Sequence, residues 1–566
     1  MPNTKNRLTK RILAAALCLT MLFTFTACDY ENALALFDDT YAILPLKNTD
    51  DNPTFDEMVG SYVHYDCDAF FRYADKAEAA FRAGNEQKAE YMLNNLQKAY
   101  LQIEALRFIA EIKYYSDLAN EFWLNEYEYT RNIYSLAQER KSALVELAIN
   151  AGLADDDRNA GANSDILDAA TSQKEFEIIE EWTSKFYADP FSQDPEFWEH
   201  LTNLLMKLVK LRNEAARAKG YANYAEMVFS NPYKLSKEKI ADICEVVAEF
   251  SPECGRIYSA WLKMQKERKA DLGTPTREEI LSNVGKEFLP KVNSDMAEHF
   301  SYMEKRGLLV LGEGENAYPN GFTDGIDIYK AGMLYMGLGE FVRSYCMLVH
   351  EFGHAYAEQV RYDDDIEKGP YYNIDFASQE SQAMGLEALF CAKSEELFGW
   401  DSGIRFLLSM EHFVPIIENS MLHEVELSLY ENEDMTPDEL CRLYSDTCEK
   451  YGMAQTYEVL NPEDYYYKYG FMFINHFFTH PFYLQQYVPA SFVAMQLALL
   501  ADKDFEKATE TYMIIENYGN AGNYSYEHII RDAGLVDITD KAAVRAAMND
   551  IFDYYNELLE RTGYEN

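Results

Sequence analysis

Cysteine is scarce in this 566-residue chain, with nine residues and no CxxC pair. That excludes a disulfide framework. Cys67, Cys244, Cys254, Cys346, Cys391, Cys441 and Cys448 read as scattered buried thiols. Proline is sparse and low-complexity runs are absent, which excludes extensive disorder. Positive charge is short: 51 Lys and Arg face 95 Asp and Glu, a formal net charge of −44. Such a surface excludes routine nucleic-acid binding; it would steer cationic ligands toward the protein, and service to solubility alone is the plainer reading. Beyond residue 27 no run is long and apolar enough to span a bilayer.

The first residues follow a different pattern. Lys5, Arg7, Lys10 and Arg11 precede an apolar run, Ile12–Ala27, and then Cys28. This order of parts is that of a secretory signal peptide. Its end, FTAC, resembles a bacterial lipoprotein signal, with Phe25 where Leu is usual. The resemblance implies lipidation at Cys28 and an extracytoplasmic, membrane-anchored protein; simple secretion is the alternative. The expected organisation is a signal peptide at 1–27, a polar linker at 28–60, a helical domain at 61–200 and a second domain at 201–566.

From Tyr73 onward apolar residues recur at three and four positions, the spacing of one helix face. Leu93, Leu96, Tyr100, Ile103, Leu106 and Ile109 are the first clear stripe. The same pattern predicts helices over 126–150, 173–186, 195–220, 236–267, 277–306, 373–398, 436–451, 483–501 and 541–561. The polar stretch 152–165 predicts a loop. Residues 307–340 break the pattern: Gly and Pro punctuate short apolar runs, predicting two or three strands, with Leu308–Leu311 and Met333–Met336 foremost. The fold class is therefore mainly α, with a small β-sheet. The Met333–Met336 strand is a candidate for pairing with a peptide backbone, with plain packing an equal alternative.

A helix expected to start near Glu340 carries HEFGH, residues 350–354. Residues four apart share a helix face, so His350 and His354 can bind one metal ion, with Glu351 beside them to take a proton from water. Composition alone yields a chance HExxH in roughly 1 in 50 such chains. His423-Glu424 begins the same way and stops at Leu427. A catalytic zinc also needs a third protein ligand. Val360 stands where one class of such proteases has a third His, which excludes that class. The later segment IDFASQESQAMGLEALFC (374–391) offers Glu380 and Glu387, two turns apart on one face; Glu380 follows His354 by 26 residues. A solvated acidic face is the plain reading of such a pair, but Met384, Leu386 and Leu389 surround Glu387, and an acid in apolar company needs a partner. Cys346, one turn before His350, is a conceivable ligand that the set does not require.

HEFGH followed by ESQAMGLE at this distance resembles the thimet oligopeptidase and oligoendopeptidase F family of zinc metallopeptidases. KLRNEAARAKGYANYAEMVF (210–229) and NHFFTHPFYLQQY (475–487) resemble two further segments of that family, so the likeness covers about residues 200–500. It implies two helical lobes around a deep substrate channel, with the small sheet beside the HExxH helix. It implies one Zn2+ held by His350, His354 and Glu380, with Glu351 as general base and Glu387 orienting a ligand. His476, Tyr483 and Tyr487 are the implied candidates for stabilising the developing oxyanion; His480 is not aligned with the family position. Ala357 and Gln485 depart from the family pattern. The implied function is hydrolysis of internal bonds of short peptides by zinc-activated water. A carboxypeptidase of the related helical group and a non-catalytic peptide-binding lipoprotein are the alternatives.

Overall fold

The computed structural model describes residues 43–44, 53–152, 167, 169–230, 235–364, 366, 375–453, 468–520 and 524–564. The signal segment, Cys28 and nearly all of the loop expected at 152–165 lie outside the described residues. The structure is mainly helical, and its apolar side chains form one continuous core from Ile43 to Leu559. No described helix is long and apolar enough to cross a membrane.

Helix α1 (Glu86–Ser116) buries the stripe read from sequence: Leu93, Leu96, Ile103, Leu106 and Ile109 are all 1% exposed or less. Each such side chain contributes about 1.5–3 kcal/mol by leaving water. Asn85 caps the start by accepting from the Lys88 amide. The far end of α1 braces the sheet, where the Tyr335 hydroxyl donates to the Tyr115 carbonyl at 2.7 Å and Arg107 pairs with Asp324 at 3.1 Å.

Two expected helices are interrupted. The stretch 236–267 forms Lys237–Glu249 and α2 (Ser251–Leu272), separated at Phe250. Pro252 in the first turn of α2 has no amide to continue the earlier ladder. The stretch 277–306 is split by a wide π turn at Asn283–Phe288 and by Asn293, which caps Ser294–Arg306. Apolar periodicity carried across both breaks, because each helix continues to bury the same side.

The sheet has three strands: β1 (Leu309–Gly312), β2 (Gly321–Ile326) and β3 (Ala331–Gly337), in the order β1-β3-β2. β3 pairs parallel with β1 and antiparallel with β2, and every residue in it is buried. Met333–Met336 therefore has no edge to offer a peptide, and that expectation is corrected. The edges of the sheet are β1 and β2, and β2 is the one that packs on α3 (Phe341–Asp363).

Four helices then build the site: α3 (Phe341–Asp363), α4 (Phe376–Phe398), α5 (Ser402–Glu431) and α6 (Tyr487–Lys503). The helix expected from 483 opens as a 3-10 turn, Leu484–Gln486, before α6 begins. α4 is buried on nearly all sides, since it lies between α3, α5 and α6. Gly353 permits that packing. A Cβ there would lie 2.8 Å from the Ala383 Cα, so α3 and α4 touch backbone to backbone at the motif glycine.

Candidate metal and catalytic site

The close contact at Gly353 faces Glu380 of α4 toward the two histidines of α3. His350 Nε2 and His354 Nε2 are 3.2 Å apart. Glu380 Oε2 lies 3.4 Å from His350 Nε2, and Glu380 Oε1 lies 3.7 Å from His354 Nε2. One ligand atom from each residue falls within 4.8 Å of the others. Glu380 is 2% exposed, and its Oε2 has no hydrogen-bond partner. A buried, orphaned carboxylate oxygen converging with two imidazole nitrogens fits a divalent metal ion, and the N,N,O donor set suits zinc.

The surrounding charge fits the same group. Burial disfavours the His350 cation, yet the carboxylates of Glu387, Glu380 and Glu351 outweigh it and push the His350 pKa up to about 10. His354 is held well below the usual range by burial and by His350. Burial raises Glu380 to about 7, against the pull of His350. Three acids crowded around two imidazoles leave negative charge for a cation to neutralise.

Glu387 donates nothing to the cluster itself. Its Oε1 sits 2.6 Å from His350 Nδ1, which turns Nε2 inward. Glu351 points the other way along α3, toward β2. Its Oε2 accepts from the Thr323 hydroxyl at 2.7 Å, and the same hydroxyl reaches the Glu351 carbonyl at 2.9 Å. A side chain at Gly321 would meet Met347 at 2.7 Å and Glu351 Oε1 at 3.0 Å, so the glycine lets the edge strand lie against the acid. Burial raises the Glu351 pKa, opposed by His350 and Thr323.

The 475–487 segment closes the opposite side. Burial raises the Tyr487 hydroxyl well above its ordinary range, as do the charge of Glu380 and hydrogen bonds to it and to Tyr483. The Tyr483 and Tyr487 hydroxyls are 3.5 Å apart, so the two tyrosines face the site together. Burial and Glu380 also raise Tyr483, and both remain donors. The His476 ring stacks on Tyr483 at 4.9 Å and 5°. His476 is thus one ring removed from the triad; burial lowers its pKa to about 4, keeping it neutral. His480 is exposed and bonds to its neighbour Thr479 at 3.0 Å. Cys346 is buried, its thiol held well above the usual range by burial and by Cys391, and it is no member of the cluster. Gln485, the departure from the family pattern, faces away from the site and accepts from His423, the histidine of the incomplete motif, at 2.5 Å.

Sequence reasoning missed the supports. Arg212 is buried, pairs with Glu175 at 2.6 Å and donates to Tyr430 at 2.9 Å and to the carbonyls of Phe477 and Phe478. It ties the helix Pro195–Ala218 to the 475–487 segment; an arginine within an apolar helix stripe was the available signal. Phe482 adopts φ +63°, and its amide donates to buried Glu426 at 3.0 Å, turning the chain into Tyr483. Thr323 carried no signal, because its role depends on sheet register.

A cavity of about 580 Å3 opens beside the triad, reached by His350, Glu351, Glu387, Tyr487 and Gly321. The whole arrangement belongs to a known class of fold. No protein-family model and no curated protein matches the chain. Solved structures do. A protein provisionally named oligoendopeptidase F superposes with a TM-score of 0.68 at 18% identity, over 89% of this chain and 99% of that one. PZ peptidase A, solved with an inhibitor, gives 0.68 at 17%, over 88% and 98%. Oligoendopeptidase F from Enterococcus faecium gives 0.52 at 15%, over 90% and 98%. The fold is that of a helical peptidase, and more narrowly it is the oligoendopeptidase F fold, as the motifs implied.

Proposed function

We propose that this protein is a zinc-dependent oligoendopeptidase of the oligoendopeptidase F family. The observation that carries the reading is the position of Glu351, buried between the His350–His354–Glu380 triad and the free edge of β2, with Thr323 fixing its carboxylate. A protein that only held peptides would need no base there.

His350, His354 and Glu380 would hold the ion, and Glu387 would keep His350 in the binding tautomer. When bound, zinc supplies Lewis acidity, polarising a carbonyl and making water acidic near neutral pH. The peptide backbone pairs with the outer edge of β2, which recognises main chain rather than sequence. That places a scissile carbonyl against the triad. Glu351 accepts the proton of the attacking water and delivers it to the leaving nitrogen. Tyr483 and Tyr487, both held protonated, donate toward the carbonyl oxygen as it gains charge, and His476 fixes the Tyr483 ring. Secretion, with a lipid anchor at Cys28, places this chemistry on the outer face of a bacterial membrane.

The experiment is metal content and peptide cleavage on one preparation. One zinc per chain and internal cleavage that stops with a chelator support the proposal. Release of single C-terminal residues would favour a carboxypeptidase. Full zinc with no cleavage of a broad peptide set would favour a binding lipoprotein.

A further inference from the structure

The cavity beside the triad extends one turn back along α3, away from the metal ligands. Its far wall is largely apolar, built from Trp261 and Leu272 of α2, Met347 of α3, and Leu407 and Pro415 of α5, with Gln265 of α2 and one carboxylate, Glu411, set into it. The other acids that line the cavity have duties. Glu387 is bonded to His350, Glu351 accepts from Thr323, and Glu340 stands at the N-cap of α3. Arg343, the one Lys or Arg in the lining, is exposed and donates to Asn320. Glu411 has no hydrogen bond or ion pair among the described residues and feels its neighbours only through space. Burial, then the charges of Glu387 and Glu340, push its pKa up to about 7, while Arg343 and His350 pull the other way.

Glu411 is half-buried at the cavity wall, and a carboxylate held there without a partner favours a cation that enters the cavity. Lysine and arginine suit the shape. Their methylene stems lie along apolar surface, here Trp261, Met347 and Leu407, while the charged head reaches Glu411. Met347 is three residues before His350, about 4.5 Å along the helix axis. A side chain held there belongs to a residue close to the scissile bond.

We infer that Glu411 is the specificity-determining carboxylate of a cation-binding subsite, which takes the lysine or arginine side chain of a substrate residue near the cleaved bond. The inference rests on the peptidase reading above and names the substrate class of that same site. The net charge of −44 acts in the same direction, concentrating cationic peptides near the protein.

The test uses the zinc-loaded protein and N-acetylated, internally quenched peptides in which Lys, norleucine or Glu is walked through each position around the cut. At one position Lys should exceed norleucine in kcat/KM by about tenfold, mostly through KM. In Glu411→Gln that ratio should fall toward one, and in Glu411→Lys it should invert in favour of Glu. A role confined to folding, or to His350 through Glu387, would slow Lys and norleucine peptides alike and leave the ratio intact, which overturns the inference. So does a wild-type enzyme that cleaves with no Lys preference at any position, a result that needs no variant to fold. If no peptide is cleaved, the peptidase reading fails separately. Calorimetric titration of the same peptides then decides the subsite: tighter binding of Lys supports it, and equal affinity for Lys and norleucine rejects it.

Discussion

His350 Nδ1 lies 2.6 Å from Glu387 Oε1, between two helices and across 37 residues of sequence. The bond leaves Nε2 of His350 facing Glu380 and His354. Glu387→Gln keeps the shape and removes the charge that holds the imidazole. Zinc affinity should fall about 10- to 100-fold, read by competition with a chromophoric chelator. Unchanged affinity would show that His350 is oriented by packing alone.

Glu351 adjoins His350 in sequence, but the proposed mechanism makes it the base and not a ligand. Glu351→Gln should retain zinc at the wild-type stoichiometry and lose about 10²- to 10⁴-fold in kcat. Elemental analysis and peptide hydrolysis on the same sample check both halves. Full activity in that variant would remove the base from the mechanism.

Tyr483 faces the triad with its hydroxyl 3.5 Å from that of Tyr487. Tyr483→Phe should lower kcat about 10²- to 10³-fold with zinc content unchanged, the loss expected for one oxyanion donor. Parallel losses of zinc and activity would instead make the residue a support of the metal site.

Gly353 is required by packing rather than by chemistry. In Gly353→Ala the new methyl would sit 2.8 Å from the Ala383 Cα, where backbone must move. Overpacking of this kind costs about 1–3 kcal/mol and should appear as a lowered urea midpoint. Because the same contact sets Glu380 against the histidines, zinc affinity should fall with it.

Glu516 gives the fold a pH dependence of its own. It is fully buried, accepts from the Tyr512 hydroxyl at 2.8 Å and feels no cation; burial pushes its pKa up to about 8. The folded chain therefore keeps this proton where the unfolded chain, near 4.5, has lost it. The contribution is whole below pH 4.5 and declines as pH rises through 8. Glu516→Gln cannot ionise, so the difference in urea stability between pH 5.5 and pH 8.5 should be smaller in the variant than in the wild type.

Sequence by itself determined most of the helices and the placing of the histidine pair. His350 and His354 are four apart, so any helix through them sets both imidazoles on one face. The apolar stripe of α1 was equally local, because burial of one helix side imposes its own period. Local rules failed where distant parts meet. Periodicity across 236–267 could not report the break at Phe250, since both segments bury the same side. Which strands form the edges was not legible either: β3 looked the likeliest strand because it is the most apolar, and it is apolar because partners flank it on both sides. Only the tertiary structure joined Thr323 to Glu351, Arg212 to the 475–487 segment, and Glu411 to the cavity. Those pairings depend on register and crossing, and the energy that fixes them comes from packing between elements far apart in the chain.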